Sequence, residues 1–170
     1  MKIAPIPISA IARPSEPSDM GQASVKLRQG RISVAGHIYL VTFTTAERNP
    51  HFKTWETASL AAGLLTEPTS WQRSRLLAWV LMPDHWHGLV QLGDSESLSA
   101  CIGRLKGSTS RQLKLAHPHL GRVWGPGFHD RAMRSDDDLR ATARYLAMNP
   151  VRAGLVKRVG DYPYWDAIWV

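Results

Sequence analysis

The chain has 170 residues, of which 44% are hydrophobic, and its 21 Lys and Arg outnumber its 14 Asp and Glu to give a net charge of +7. This length and composition suit one folded domain and exclude a collagen-like or disordered chain. A single cysteine, Cys101, excludes a disulfide framework or a zinc finger and indicates a reducing compartment. No apolar run nears the ~20 residues of a membrane span, so we expect no membrane partner and a cytoplasmic location. The positive charge favours a polyanionic partner.

The first part of the chain differs in composition from the rest. Prolines interrupt residues 1–30, which show no periodicity of apolar residues. This pattern predicts a flexible, proline-rich tail over 1–30 and a folded domain over 31–170 that includes a C-terminal segment, 151–170.

Strand-like and helix-like segments alternate after residue 30. The predicted strands are His37–Thr45, Arg75–Met82, His85–Leu92 and Phe128–Arg134, and the predicted helices are Pro50–Leu65, Leu98–Ala116 and Ser135–Asn149. Ser135 and Asp138 have the spacing of a capping box, and Pro150 predicts the end of the last helix. The order predicts an α+β fold with a ferredoxin-like split β-α-β core, a four-stranded antiparallel sheet with two helices, followed by one more helix.

Two histidines flank a tryptophan in the third predicted strand. Residues two apart in a strand point to the same face, so His85 and His87 can converge on one metal ion while Trp86 packs behind them. Two histidines that merely share a half-solvated face explain the spacing equally well. His117 and His119 repeat the spacing beyond a helix end, where we do not expect a ligand pair.

Tyr145 and Asn149 lie one turn apart on the last predicted helix, beside its apolar stripe. A tyrosine hydroxyl can act as a covalent nucleophile. A boundary tyrosine that only packs its ring and binds water is the alternative.

Basic residues are concentrated in the second half of the chain. Arg104 and Arg111 are predicted to project from the helix face opposite its apolar stripe, where they can neutralise phosphates. The full set of candidate DNA-binding residues is Arg104, Lys106, Arg111, Lys114, Arg131, Arg134, Arg144 and Arg152.

Three stretches together resemble the HUH single-tyrosine transposases, and most closely their REP-associated tyrosine transposase branch. They are WVLMPDHWHGLV at 79–90, FHDRAMR at 128–134 and RYLAMNPVRAGLV at 144–156. The resemblance covers about residues 31–170.

The resemblance implies a fold, a reaction and a cofactor. Members of the family have a ferredoxin-like core and cut single-stranded DNA through a 5′-phosphotyrosine link, with Mg²⁺ or Mn²⁺ as the divalent metal. By that resemblance Tyr145 is the catalytic nucleophile, and the metal ligands are His85, His87 and Asn149. Mobile relatives often carry Gln at the position of Asn149, so the asparagine favours the REP-associated branch.

The resemblance also implies partners. The expected one is single-stranded or hairpin DNA in the nucleoid. Because one tyrosine holds one covalent DNA end at a time, full strand exchange needs either a second subunit, as in a homodimer, or sequential steps. Two other functions stay open at this stage. One is a hairpin DNA-binding protein that no longer cuts, and the other is a metal-dependent phosphohydrolase with no covalent step.

Overall fold

A computed structural model of the chain describes residues 33–133 and 136–169. The predicted tail lies outside these residues, as do Arg134 and Ser135, the first residue of the predicted capping box. The strands are β1 (Ile38–Thr44), β2 (Arg75–Met82), β3 (His85–Gln91), β4 (His129–Ala132) and β5 (Trp165–Ala167). The helices are α1 (Trp55–Thr66), α2 (Pro68–Trp71), α3 (Leu98–Ala116) and α4 (Asp136–Arg152).

The strands form one antiparallel sheet in the order β4-β1-β3-β2-β5. The first four strands have the order of a ferredoxin-like split β-α-β unit, so the predicted α+β fold is confirmed. The predicted strand count of four was wrong, because β5 adds a fifth strand along Ala78–Val80 of β2. The three residues of β5 are too few to show an apolar alternation in the sequence. They form a strand because the edge of β2 offers them hydrogen bonds.

Helices cover both faces of the sheet. The face under α1 and α3 is formed by large side chains that include Val41, Phe43 and Trp86. On the other face, α4 packs Leu139, Ala143 and Leu146 against a second apolar cluster. The second strand contributes to both clusters, as its continuous apolar sequence predicts for a strand buried on two sides.

The apolar stripe predicted for α3 faces the core. Its buried members are Leu98, Ile102, Leu105, Thr109 and Leu113, whereas Ala116 at the last turn is exposed. Ser97 begins the helix by accepting a hydrogen bond from the Ala100 amide. Among the residues that the structure describes, no helix is both long enough and apolar enough to cross a membrane.

The last helix continues past Pro150, where the sequence predicted its end at Asn149. Proline removes one backbone N–H, and it lies so near the helix end that only the last turn is affected. The Ala153 amide still donates to the Asn149 carbonyl, at 2.9 Å. Gly154, with φ of +71°, then takes the left-handed conformation that ends the helix.

Candidate active site on the central strand

His85 and His87 lie side by side on the central strand of the core. Leu89, two residues further along β3, packs in the cluster under α4, so the alternation of side chains puts both imidazoles on the α4 face. Their ring centroids are 4.7 Å apart, with the ring planes at 87°. The side-by-side placement that the spacing predicted is therefore present.

Each imidazole is held through its Nδ1 atom. The Thr42 hydroxyl on β1 lies 2.6 Å from Nδ1 of His87, and a carboxylate oxygen of Asp84 lies 2.5 Å from Nδ1 of His85. Asp84 is fixed in turn by Arg48, at 3.1 Å. With Nδ1 engaged, Nε2 is the ring nitrogen that each histidine can offer to a metal ion.

Burial and neighbouring groups set the protonation states of His87 and Asp84. Burial lowers the pKa of His87 to about 3, and the positive charges of His85 and Arg48 act in the same direction. His87 is therefore neutral near pH 7 and keeps a lone pair. Burial raises the pKa of Asp84, but the hydrogen bond and charge of His85 and the charge of Arg48 outweigh it, so the pKa is lowered and the group stays a carboxylate.

The residues between and after the histidines fix the strand from its other face. Trp86 is fully buried and stacks on Phe43, with centroids 4.9 Å apart. Its indole also lies across Gly88, where a Cβ atom would overlap the ring. A tryptophan that is packed this tightly keeps its two neighbours pointing to the opposite face.

The chain path brings the end of α4 toward the histidines. β4 ends at Ala132 beside Tyr39, near the start of β1, whereas His85 pairs with Thr44 at the far end of β1. The 17 residues of α4 extend ~25 Å, which is about the length of the seven-residue β1. Its C-terminal turns, with Asn149, therefore reach the end of the sheet where the histidines lie.

Tyr145 differs from the other tyrosines in its exposure. It is 37% exposed, and the Arg152 guanidinium lies 4.4 Å from its ring centroid. Tyr39 is buried, and its hydroxyl accepts a hydrogen bond from the Val34 amide. Tyr162 donates to the Leu81 carbonyl at 2.6 Å, and burial together with Tyr164 raises the pKa of Tyr162 to about 12.

The described residues show no direct contact between the histidines and the tyrosine–asparagine pair on α4. Within residues 33–133 and 136–169, neither Tyr145 nor Asn149 makes a hydrogen bond or ring contact with His85 or His87. The same residues contain no group of three or more His, Cys, Asp and Glu side chains that could hold a metal. The donors that the structure brings together are the two imidazoles, and nitrogen ligands of this kind suit a divalent transition-metal ion.

Two of the predicted DNA-binding side chains are engaged within the protein. Arg104 does not project freely, as the sequence predicted, because it pairs with Glu96 at 2.9 Å and donates to the Ser70 carbonyl. Helical periodicity could not show this, since Glu96 and Ser70 lie outside α3. Lys106 donates to the carbonyls of Gly125 and Gly127.

The other predicted cations lie at the surface or outside the described residues. Arg134 belongs to the second group. The exposed members are Arg111, Lys114, Arg131, Arg144 and Arg152. His117 and His119, the second histidine pair, lie beyond α3 with ring centroids 5.8 Å apart.

Sequence reasoning missed the residues that orient the imidazoles. Asp84 was not among the predicted site residues, although its place next to His85 in the sequence was a usable signal. Thr42 is 45 positions from His87 and becomes its partner only through strand register. Arg48 has no sequence signal of this kind.

Comparisons with known proteins identify a family. A family model described as "Transposase IS200 like" matches residues 33–147. The chain is similar to a REP-associated tyrosine transposase of Escherichia coli K12, with 32% identity over 90 residues that cover 51% of this chain and 50% of the relative. A Haemophilus influenzae protein with a similar name is 32% identical over 98 residues, covering 52% of this chain and 56% of the relative. The chain thus spans about half the length of these relatives.

Solved structures show the same similarity. A REP-associated tyrosine transposase bound to a REP hairpin superposes with a TM-score of 0.65 and 25% identity, over 79% of each chain. A Deinococcus radiodurans transposase structure has a TM-score of 0.53 at 24% identity, over 68% of this chain and 92% of the other, which supports the fold alone.

Proposed function

This chain belongs to the IS200-like transposase family, and on that premise we propose that it is a metal-dependent single-stranded DNA endonuclease and strand transferase of the REP-associated tyrosine type. It cuts at hairpin-forming repeats and retains one DNA end as a 5′-phosphotyrosine. The observation that carries this proposal is the orientation of His85 and His87, whose Nε2 atoms are left for a metal ion on the sheet face that α4 covers.

Tyr145 is the proposed nucleophile. Its oxygen forms a bond to phosphorus while the bond from phosphorus to the 3′ oxygen breaks, so the phenol loses a proton and the departing 3′ oxygen gains one. The phosphotyrosine keeps the energy of the broken bond, and the same 3′-hydroxyl can therefore reverse the step and rejoin the strand. Arg152, stacked on the Tyr145 ring, limits the ring's motion and puts a positive charge beside the incoming phosphate.

His85, His87 and Asn149 are the proposed metal ligands. The bound Mg²⁺ or Mn²⁺ supplies charge that polarises the non-bridging oxygens of the target phosphate. Thr42 and Asp84 keep the two imidazoles in the required tautomer and orientation. Asn149 contributes a neutral oxygen, which water can replace, so its loss weakens metal use less than the loss of a histidine.

The proposed partner is single-stranded or hairpin DNA of the nucleoid, in the cytoplasm. Support comes from the net charge of +7 and from the similar transposase that was solved with a REP hairpin. Because a single tyrosine holds one covalent end at a time, complete strand exchange requires a second copy of the chain or two successive reactions.

The direct test is to incubate the protein with a single-stranded hairpin oligonucleotide and Mn²⁺ and to look for a covalent protein–DNA band on a denaturing gel. Wild type should form the band. Tyr145→Phe should still bind the DNA but form no band, because it keeps the ring and loses only the attacking oxygen.

Matched histidine variants separate the metal site from general damage. His87→Ala should remove metal-dependent cleavage, whereas His117→Ala, in the other histidine pair, should leave it unchanged. Cleavage without a covalent band in Tyr145→Phe would indicate a phosphohydrolase. DNA binding without any cleavage by wild type would indicate a protein that only binds hairpins.

A further inference from the structure

An exposed aromatic ring stands at the start of α1. Trp55 is the first residue of that helix and is 66% exposed. Lys53, Thr54 and Glu56, its neighbours in sequence, are also exposed and are polar. A single ring of this kind has the size of a nucleobase and is much smaller than the patch that a protein partner needs.

The ring is supported from behind by two tyrosines. Tyr164 lies 5.9 Å from Trp55 between ring centroids, and Tyr162 lies 5.5 Å from Tyr164. Both tyrosines are tied to Leu81 at the end of β2, through the Tyr162 hydroxyl at 2.6 Å and the Tyr164 carbonyl at 2.9 Å. Trp55 is thus backed by a rigid support.

Trp55, Tyr164 and Tyr162 form a row of aromatic rings that extends from one face of the sheet to the other beside β5. Tyr164 packs with the cluster under α1 and α3, while Tyr162 packs with the cluster under α4. The Phe52 amide donates to the carbonyl of Pro83, at 3.0 Å, in the turn that carries the first histidine. Trp55 is three positions after Phe52, a span of at most about 11 Å, so its backbone lies within that distance of a residue that is hydrogen-bonded to the turn before His85.

We propose that Trp55, supported by Tyr164, is a stacking platform for one unpaired base of the single-stranded DNA next to the cleavage site; this rests on the proposed function. Aromatic side chains bind single strands by stacking on successive bases, and every base presents a π-face. The net charge of +7 and exposed Lys53 supply the attraction for the phosphates on either side of that base.

The test measures the Kd of the full chain for a hairpin with a single-stranded oligothymidine extension and for the same hairpin without it. Trp55→Ala should weaken binding of the extended DNA by about tenfold and leave the bare hairpin unchanged. Trp55→Phe should retain most of the affinity, and Trp55→Leu, which is apolar but has no π-face, should not. The matched control is Leu115→Ala, at a side chain 72% exposed on α3, which should bind like wild type.

Three results would overturn the proposal. The first is a Trp55→Ala variant that binds the extended DNA as tightly as wild type. The second is a Trp55→Leu variant as good as Trp55→Phe, since apolar contact would then suffice. The third is loss of self-association by Trp55→Ala in sedimentation, with unchanged DNA affinity, which would assign the ring to a contact between copies.

The covalent protein–DNA band tests the proposed function separately from DNA affinity. At saturating DNA, the control variant Leu115→Ala should form the covalent band to the wild-type extent. Absence of the band in wild type would contradict the proposed function without touching the stacking result, which depends on binding alone.

Discussion

His85 and His87 depend on residues that belong to other parts of the chain. Alternation along a strand is a local property, so the sequence alone predicted that both imidazoles share one face. The hydrogen-bond partner of the Nδ1 atom of His87, in contrast, depends on the tertiary structure. Thr42 reaches His87 only because β1 and β3 pair in one particular register, and register is set by the packing of the whole sheet.

Removing the hydroxyl that orients His87 should weaken metal binding while keeping the fold. Thr42→Val has nearly the same shape but leaves Nδ1 of His87 without its partner, so we expect Mn²⁺ affinity to fall about 10- to 100-fold. Isothermal titration of the variant with Mn²⁺ measures this. Thr66→Val, which loses a hydroxyl on α1, is the control and should bind like wild type. An unchanged affinity in Thr42→Val would show that Thr42 does not orient the ligand.

The helices and strands follow the sequence pattern where they are long and depend on tertiary contacts where they are short. The bounds predicted for β2 and α3 agree with the structure, since each has a strong apolar pattern. The short β5 has no such pattern. The sequence predicted that α4 ends at Asn149, before Pro150, but the helix continues three residues further, to Arg152.

The third strand should not tolerate a side chain at Gly88. A Cβ atom there would overlap the Trp86 indole, which is enclosed by Phe43 and Trp71 and cannot move freely. Gly88→Ala should therefore lower the free energy of unfolding by about 1–3 kcal/mol, measured by urea denaturation.

A second glycine provides the control for that measurement. A Cβ atom at Gly63, in the interior of α1, meets nothing within 4 Å. Gly63→Ala should raise the stability by about 0.5–1 kcal/mol, because alanine is the better helix former. A Gly88→Ala variant as stable as wild type would contradict the close packing behind the histidines.

At the scale of the whole molecule, some of the positively charged side chains form contacts within the protein and others remain exposed. The sequence showed the excess of cations but not which of them are used inside the protein, because ion pairs such as Arg104–Glu96 join residues that the fold brings together. Arg111 and Lys114 remain exposed on the same helix. We therefore expect these two, more than Arg104, to contact phosphates.

Salt titrations of DNA binding distinguish the two kinds of arginine. Arg111→Ala should reduce the slope of log affinity against log salt by ~0.7, as expected for one lost phosphate contact with a single strand. Arg104→Ala should leave the slope unchanged and instead destabilise the fold by about 1–3 kcal/mol, because Glu96 loses its partner. The reverse assignment of slope and stability changes would contradict this division.

The residue to which the DNA becomes attached decides whether Tyr145 is the nucleophile. After reaction with a hairpin oligonucleotide and Mn²⁺, the covalent complex is digested with nuclease and trypsin and its peptides are sequenced by mass spectrometry. We predict that the nucleotide is attached to Tyr145, in the tryptic peptide of residues 145–152 that follows Arg144 and ends at Arg152. Attachment to Tyr39, Tyr162 or Tyr164, or a cleaved product with no modified tyrosine, would show that Tyr145 is not the nucleophile.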